Sequence, residues 1–199
     1  MSGMFIVVEG IDGAGKSTLC QNLRSFFESE GLPVVCTEEP THDEIGMFIR
    51  RGEAGPVSPT AESLLFAADR AVHTEKIREW TSSGKIVICD RYYASTLAYQ
   101  AVPLGGPAPD RDWLEAVNGP IVTEPDITFL LDADPQESML RVGRRGGRSK
   151  FEDEEYLGKV RENYLRIAHE RGFIVLDGNS PPSEVTSEAK RAIERKKVV

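Results

Sequence analysis

Five short stretches of unbroken apolar character alternate along the chain with longer segments whose apolar residues recur at helical spacing. They are Phe5 to Val8, Val34 to Cys36, Ile86 to Cys89, Ile127 to Leu131 and Phe173 to Leu176. A strand that is apolar on both faces is one covered on both faces, and intervening helices supply the crossovers that parallel pairing requires. The pattern predicts an α/β fold: a three-layer, five-stranded, mainly parallel sheet flanked by helices. No internal repeat or interdomain linker interrupts it, so residues 1–199 are read as a single domain. In such sheets ligands sit beyond the carboxyl ends of the strands. That rule singles out the polar residues just after each run: Asp12, Glu38 and Glu39, Asp90 and Arg91, Asp132 and Asp134, and Asp177. The Pro/Gly-rich piece Pro103 to Pro109 reads as a surface loop, and Ala189 to Val199 as a frayed basic helix end.

Directly after the first apolar run stands Gly10-Ile11-Asp12-Gly13-Ala14-Gly15-Lys16-Ser17, followed by Thr18. This is a phosphate-binding loop of the form G-x-x-x-x-G-K-[ST]. Its glycines let successive backbone N–H groups turn inward on polyphosphate oxygens, Lys16 can reach the β and γ phosphates, and the Ser17 hydroxyl can ligand Mg²⁺. The helix that follows favours the same anion at its N-terminus. A glycine-rich turn between strand and helix has no need of Lys-Ser at its end, so nucleotide binding is the reading adopted.

Composition narrows the setting. A hydrophobic content of 40% with 28% charged residues is that of an ordinary globule with a sizeable core. No apolar run approaches the roughly 20 residues of a membrane span, and no basic region precedes a long apolar stretch at the N-terminus. A cytoplasmic protein without a membrane partner is expected. Cys20, Cys36 and Cys89 are widely spaced and lack a C-x-x-C pair, so each is expected to act as a small buried hydrophobe. The net charge of −8 disfavours a nucleic-acid partner and makes any triphosphate site a local basic island.

Three further segments carry chemistry. Ile86 to Cys89 ends in Asp90, the form expected of an acid that holds Mg²⁺ opposite a phosphate loop. Alone it could be a helix cap. With Arg91 next to it, a bidentate grip on a second phosphate becomes the better reading. Phe66 and Arg70 lie four apart on one helix face. From spacing alone they are a core ring and a solvated neighbour, although the pair could equally stack on and hydrogen-bond a base. Arg141 to Lys150 places three glycines among four arginines and a lysine, too glycine-rich for a firm helix. It reads as a mobile loop between helices starting near Pro135 and Glu152. It could be a solvated basic loop, or a lid over about residues 141–151 that closes on nucleotide and supplies charge.

Taken together these residues resemble the thymidylate kinases, within the nucleoside monophosphate kinase group. The likeness runs from about Met4 to about Val185. It rests on Glu9 to Thr18, Thr37-Glu38-Glu39-Pro40-Thr41, Leu65 to Arg70, Asp90-Arg91-Tyr92 with Ser95 and Ala98-Tyr99-Gln100, and the arginine-rich segment, in family order. The resemblance implies a phosphate-loop kinase fold, ATP with Mg²⁺ at Gly10 to Thr18, metal contacts from Ser17 and Asp90, dTMP as acceptor, and a homodimer through the helices flanking Phe66 and Tyr99. It implies that Asp12 contacts the sugar 3′-hydroxyl, Phe66 stacks on thymine, Arg70 bonds the base O4 and Arg91 holds the acceptor phosphate. Thr96 and Gln100 match base-edge positions, and Tyr99 the ring that favours deoxyribose. Glu39, Pro40 and Ser95 complete the acceptor site. Asn179 to Pro182 and the lid are the implied adenine walls. Family members without an arginine inside the phosphate loop carry it in the lid; Gly13 occupies the loop position here, with Arg144, Arg145 and Arg148 in the lid.

One departure separates the chain from many bacterial relatives, which read Thr-Arg-Glu-Pro-Gly-Gly after the second strand. Glu38 replaces that arginine and Thr41-His42 the glycines, a version nearer some archaeal sequences. Arg50 is the candidate to replace the lost cation at the acceptor, with Arg51 less favoured. Two rival readings remain. A deoxynucleoside kinase would need a carboxylate base, Glu9 or Glu38. A nucleotide-binding regulatory module would not turn over.

Overall fold

The computed structural model describes residues 3–55, 57–103, 107–143 and 154–197. Five strands, β1 (Met4–Gly10), β2 (Val34–Glu38), β3 (Ile86–Asp90), β4 (Ile127–Asp132) and β5 (Ile174–Asp177), form one sheet in the order β2-β3-β1-β4-β5. Every pairing is parallel. Each apolar run of the sequence is a strand, lengthened by one or two residues at its carboxyl end, with β1 starting one residue earlier and β5 one residue later than the run. β1 is the central strand and is buried from Phe5 to Gly10, because neighbours and helices cover it on all sides. Register sets Val8 beside Asp90 and Gly10 beside Leu131, so three carboxyl strand ends converge where the phosphate loop leaves the sheet.

Among the described residues, eight helices flank this sheet. The first, α1 (Lys16–Ser29), rises from the phosphate loop and buries Leu19, Cys20, Leu23 and Phe27, an i, i+4 stripe against the sheet. After β2 come α2 (Glu44–Arg50) and the 24-residue α3 (Pro59–Ser82). Ser58 caps α3, its Oγ accepting from the Ala61 N–H at 3.2 Å, and Pro59 fills the first position, where no backbone donor is needed. Then follow α4 (Tyr93–Tyr99), α5 (Arg111–Asn118), α6 (Pro135–Gly143), α7 (Glu154–Arg171) and α8 (Pro182–Lys197).

Two expectations need correction. Ala189 onward is no frayed end: α8 is continuous to Lys197 and buries Ala189, Ala192 and Ile193 against the body of the protein, with Asn22 of α1 donating to Thr186 Oγ1 at 2.9 Å. Alternating charges hide an apolar stripe whose spacing is helical. Likewise Arg141 to Gly143, read as the start of a loop, is the last turn of α6, where an arginine suits the negative helix end. Arg144, Arg145 and Arg148 lie outside the described residues. Cys20 and Cys89 are buried, as expected of small hydrophobes, while Cys36 is only half-buried.

Candidate active site

The phosphate loop takes its shape from Gly10, Gly13 and Gly15, at φ 146°, 82° and 100°. Gly13 is further constrained from outside: a Cβ there would lie 2.2 Å from the Ser138 carbonyl oxygen of α6. The Lys16 ammonium is buried in the loop, donating to the Ile11 carbonyl at 2.8 Å. Burial, reinforced by the Arg91 charge, pulls its pKa down to about 8. Ser17 Oγ donates to Asp90 Oδ2 at 2.7 Å across from β3. A hydroxyl and a carboxylate at the phosphate loop are the oxygen donors a hard Mg²⁺ takes when phosphates supply its other ligands. Among the described residues no cluster of three or more His, Cys, Asp or Glu could hold a metal by itself.

On one side of the loop a cavity of about 500 Å³ opens between α1, α6 and the β5–α8 turn. Gly13, Ala14, Gly15, Thr18 and Asn179 to Pro182 line it, as anticipated. Leu131 and Val185, which escaped the sequence reading, also line it, as does Arg141, which the sequence placed in the lid. Arg141 was visible as the first cation of the basic run, but only the structure sets it on a helix facing the loop. Its Nη1 donates to the Gly178 carbonyl at 2.9 Å.

On the other side lies a cavity of about 280 Å³. Asp12, Glu39, Pro40, Arg50, Phe66, Arg70, Arg91, Ser95, Thr96, Tyr99 and Gln100 all line it, from the loop, the β2 end, α2, α3 and α4. Ile49 and Tyr92 join them without having been singled out. Phe66 is half-buried with its ring on the cavity, and Arg70, which spacing alone would leave solvated, is 1% exposed. The Arg70 guanidinium is held by Glu39 (Nε to Oε2, 2.8 Å), Thr96 Oγ1 (3.0 Å) and Asn118 Oδ1.

Arg91 joins the loop to this cavity. It is the single non-glycine among the described residues with positive φ, 71°, a conformation that costs energy and aims the side chain back over the loop. Its guanidinium pairs with Asp12, donates to the Gly10 carbonyl at 3.2 Å, and lies 5.2 Å from the Tyr99 ring centroid. Burial is the largest influence on Asp12 and raises its pKa, but the Arg91 and Lys16 charges together outweigh it and leave the carboxyl below its usual range. The acid therefore stays ionised. Tyr99 Oη accepts from the Asp12 backbone N–H at 3.0 Å, fixing ring and loop together.

Arg50 reaches the same cavity, yet its guanidinium is tied to the Pro40 carbonyl (Nε, 2.9 Å) and to Glu38 (3.3 Å). The two candidate bases are also engaged. Glu9 is fully buried and accepts from Tyr92 N–H (2.9 Å), Ser95 Oγ (2.6 Å) and Tyr164 Oη (3.0 Å), which occupies both oxygens; burial pushes its pKa up. Glu38 pairs with His42 at 2.6 Å.

Two cavities that share one phosphate loop suit an enzyme that moves a phosphoryl group between two bound molecules, and this defines the chain as a phosphate-loop kinase of a small phosphorylated acceptor. Comparison with known proteins is narrower: the model of the family described as thymidylate kinase matches residues 8–189. Probable thymidylate kinases from Pyrococcus horikoshii and Thermococcus kodakarensis are 45% and 47% identical over 177 residues, covering 84% and 83% of this chain and 84% of each relative. One from Methanospirillum hungatei is 40% identical over 194 residues, 96% of this chain and 93% of the relative. The chain belongs to the thymidylate kinase family, and its relatives here are archaeal, the direction in which the Glu38 departure pointed. The family's reaction is phosphorylation of dTMP to dTDP with ATP as donor, a step toward dTTP, and the chain is an enzyme of that reaction.

Proposed function

We propose that the γ-phosphoryl group passes from ATP in the larger cavity to the 5′-phosphate of dTMP in the smaller one, over the phosphate loop and beneath Arg91. The observation that carries this is the convergence of eleven anticipated acceptor residues on one cavity beside Lys16. In this reading Phe66 stacks on thymine, Arg70 donates to the 4-keto oxygen, and Thr96 and Gln100 meet the base edge. Asp12 takes the sugar 3′-hydroxyl, and Tyr99 occupies the space a 2′-hydroxyl would need. Arg141, at the donor cavity, faces the adenine side. An acceptor phosphate is already anionic near neutrality, so no strong general base is required, and the engagement of Glu9 and Glu38 supports that.

Catalysis is then positioning and charge stabilisation. Lys16 leaves the Ile11 carbonyl for the β and γ phosphates of ATP. Arg91 holds the acceptor phosphate in line with the donor while Asp12 holds Arg91. Ser17, and Asp90 through water, would hold Mg²⁺, which would neutralise donor phosphate charge. A lid arginine, from Arg144, Arg145 or Arg148, supplies the remaining positive charge. The protein acts in the cytoplasm as a homodimer, with Leu64, Ala68 and Val72 exposed at i, i+4 and i+8 on α3 as the joining stripe.

The test is Mg²⁺- and ATP-dependent ADP release with dTMP, dUMP, UMP, AMP and thymidine offered separately. dTMP is expected to be the preferred acceptor, and Lys16→Ala to lower turnover by about 10²- to 10³-fold, the usual cost of one transition-state charge contact. Preference for another acceptor overturns the base-site assignments. ATP binding with no acceptor-stimulated release returns the regulatory module to the front.

A further inference from the structure

α3 buries a row of polar side chains: Asp69, Arg70, His73 and Thr74 are all within 2% of complete burial. Asp69 and Thr74 have local uses, on Thr41 and on the Tyr92 hydroxyl. His73, 1% exposed, has no assigned part in binding phosphate, sugar or metal. Its Nδ1 lies 2.9 Å from Glu39 Oε1 and its Nε2 2.7 Å from Thr37 Oγ1. The other Glu39 oxygen, Oε2, accepts from Arg70 Nε at 2.8 Å. A carboxylate beside a guanidinium only accepts, so Nδ1 carries the proton, and in the neutral ring Nε2 accepts from the Thr37 hydroxyl. In that tautomer the Thr37 hydroxyl donates to His73, and His73 and Arg70 each donate to one oxygen of Glu39.

We propose that His73 is a positioning residue for base recognition, setting Arg70 through Glu39. The inference rests on the reading of Arg70 as the contact to the pyrimidine 4-keto oxygen. A guanidinium discriminates a keto oxygen from an amino group by direction, since it offers donors only in its own plane. That plane is held at Nη1 by Asn118, at Nη2 by Thr96 Oγ1 and at Nε by Glu39 Oε2, and the rotation of the Glu39 carboxylate, which sets the Nε contact, is fixed by a donor on its other oxygen. Without His73, Oε1 is a buried acceptor with no donor, and the carboxylate turns to find one. Arg70 then loses its alignment without losing its charge. Glu39 and His73 thus stand to Arg70 as an orienting shell stands to a binding group that touches the ligand.

The test compares dTMP with 5-methyl-dCMP, which differ at C4 in keto oxygen against amino group, and with dUMP, which keeps the keto group and lacks the methyl. His73→Phe keeps the ring and removes the donor. It is expected to raise KM for dTMP about tenfold with little change in kcat, and to lower the dTMP to 5-methyl-dCMP ratio of kcat/KM by a similar factor, the size of one charged hydrogen bond. The dTMP to dUMP ratio stays as it was. His73→Asn, whose amide nitrogen reaches the place of Nδ1, is expected to keep the discrimination, and His73→Gln, which reaches the place of Nε2, to lose it. Melting temperatures identify any variant that fails to fold, and the Asn–Gln comparison decides the matter if His73→Phe does. Equal discrimination by the Asn and Gln variants, or an unchanged ratio in a folded His73→Phe, overturns the inference. Arg70→Met is the control: if it leaves the C4 preference intact, the assignment of Arg70 to the base falls, and the inference with it.

Discussion

Lys16 carries the clearest consequence at the scale of single residues. Its folded-state pKa of about 8 lies below the ordinary 10.5, because the ammonium is buried and faces Arg91. Below pH 8 the group is charged in both folded and unfolded chains, and its burial opposes folding. Between about 8 and 10.5 the unfolded chain holds the extra proton, so this residue adds stability as pH rises through that window. A polyphosphate beside the ammonium favours the charged form and raises the pKa again. ATP binding at about pH 9 is therefore expected to take up a measurable fraction of a proton, seen by calorimetry in buffers of differing ionisation enthalpy. Lys16→Arg, charged throughout, should abolish the uptake; a wild-type heat independent of buffer would refute the argument. The loop that holds Lys16 was readable because its residue types are dictated by one local task. The burial of Arg70 was not, since its surroundings come from Glu39, Thr96 and Asn118, which are 26 to 48 positions away and meet it only in the fold.

At the scale of elements, the strands declared themselves because a sheet covered on both faces needs unbroken apolar runs. Helices were harder. α8 shows why: its last buried positions, Ala189, Ala192 and Ile193, lie among lysines, arginines and glutamates and read as a solvated tail until a partner surface is known. Its stripe packs on the body, and Val185 at its start lines the donor cavity. Ile193→Ala is expected to cost about 2–4 kcal/mol in urea unfolding, as for other fully buried aliphatic truncations. A loss under about 0.5 kcal/mol, the range of surface substitutions, would mean that α8 is dispensable to the core. The α7 helix is fastened along α4 in a comparable way, Tyr156 Oη donating to the Tyr99 carbonyl at 3.0 Å and Asn163 Nδ2 to the Ala98 carbonyl at 3.0 Å. Neither tie has a signature in the chain, because each ends on a backbone oxygen.

Across the whole molecule, a surface of net charge −8 surrounds a site built on Lys16, Arg70, Arg91 and Arg141. The contrast draws anionic nucleotides to one place and repels them elsewhere. The sequence left the strand order open, since any of several parallel arrangements buries the same apolar runs; the choice is made by how the crossover helices pack. The proposed dimer rests on an exposed stripe of α3, where Leu64 is 47% and Val72 43% exposed on either side of Ala68. The proposed dimer predicts that wild-type protein sediments as a dimer at micromolar concentration and that Leu64→Glu with Val72→Glu sediments as a monomer. A monomeric wild type would remove the stripe from the account.

The approach of the Ser138 carbonyl to Gly13 bears on how such an enzyme can change over generations. On the proposed reading, which puts the catalytic arginine in the lid in place of the phosphate loop, the loop position is closed here by a neighbouring helix as well as by its own backbone. One nucleotide change cannot move the arginine across, because a side chain at position 13 meets α6 before it can serve. The helix must shift first, with no immediate benefit, and the lid arginine can be surrendered only afterwards. The two solutions are thus separated by a valley, and a lineage that has settled in one has little opportunity to drift into the other.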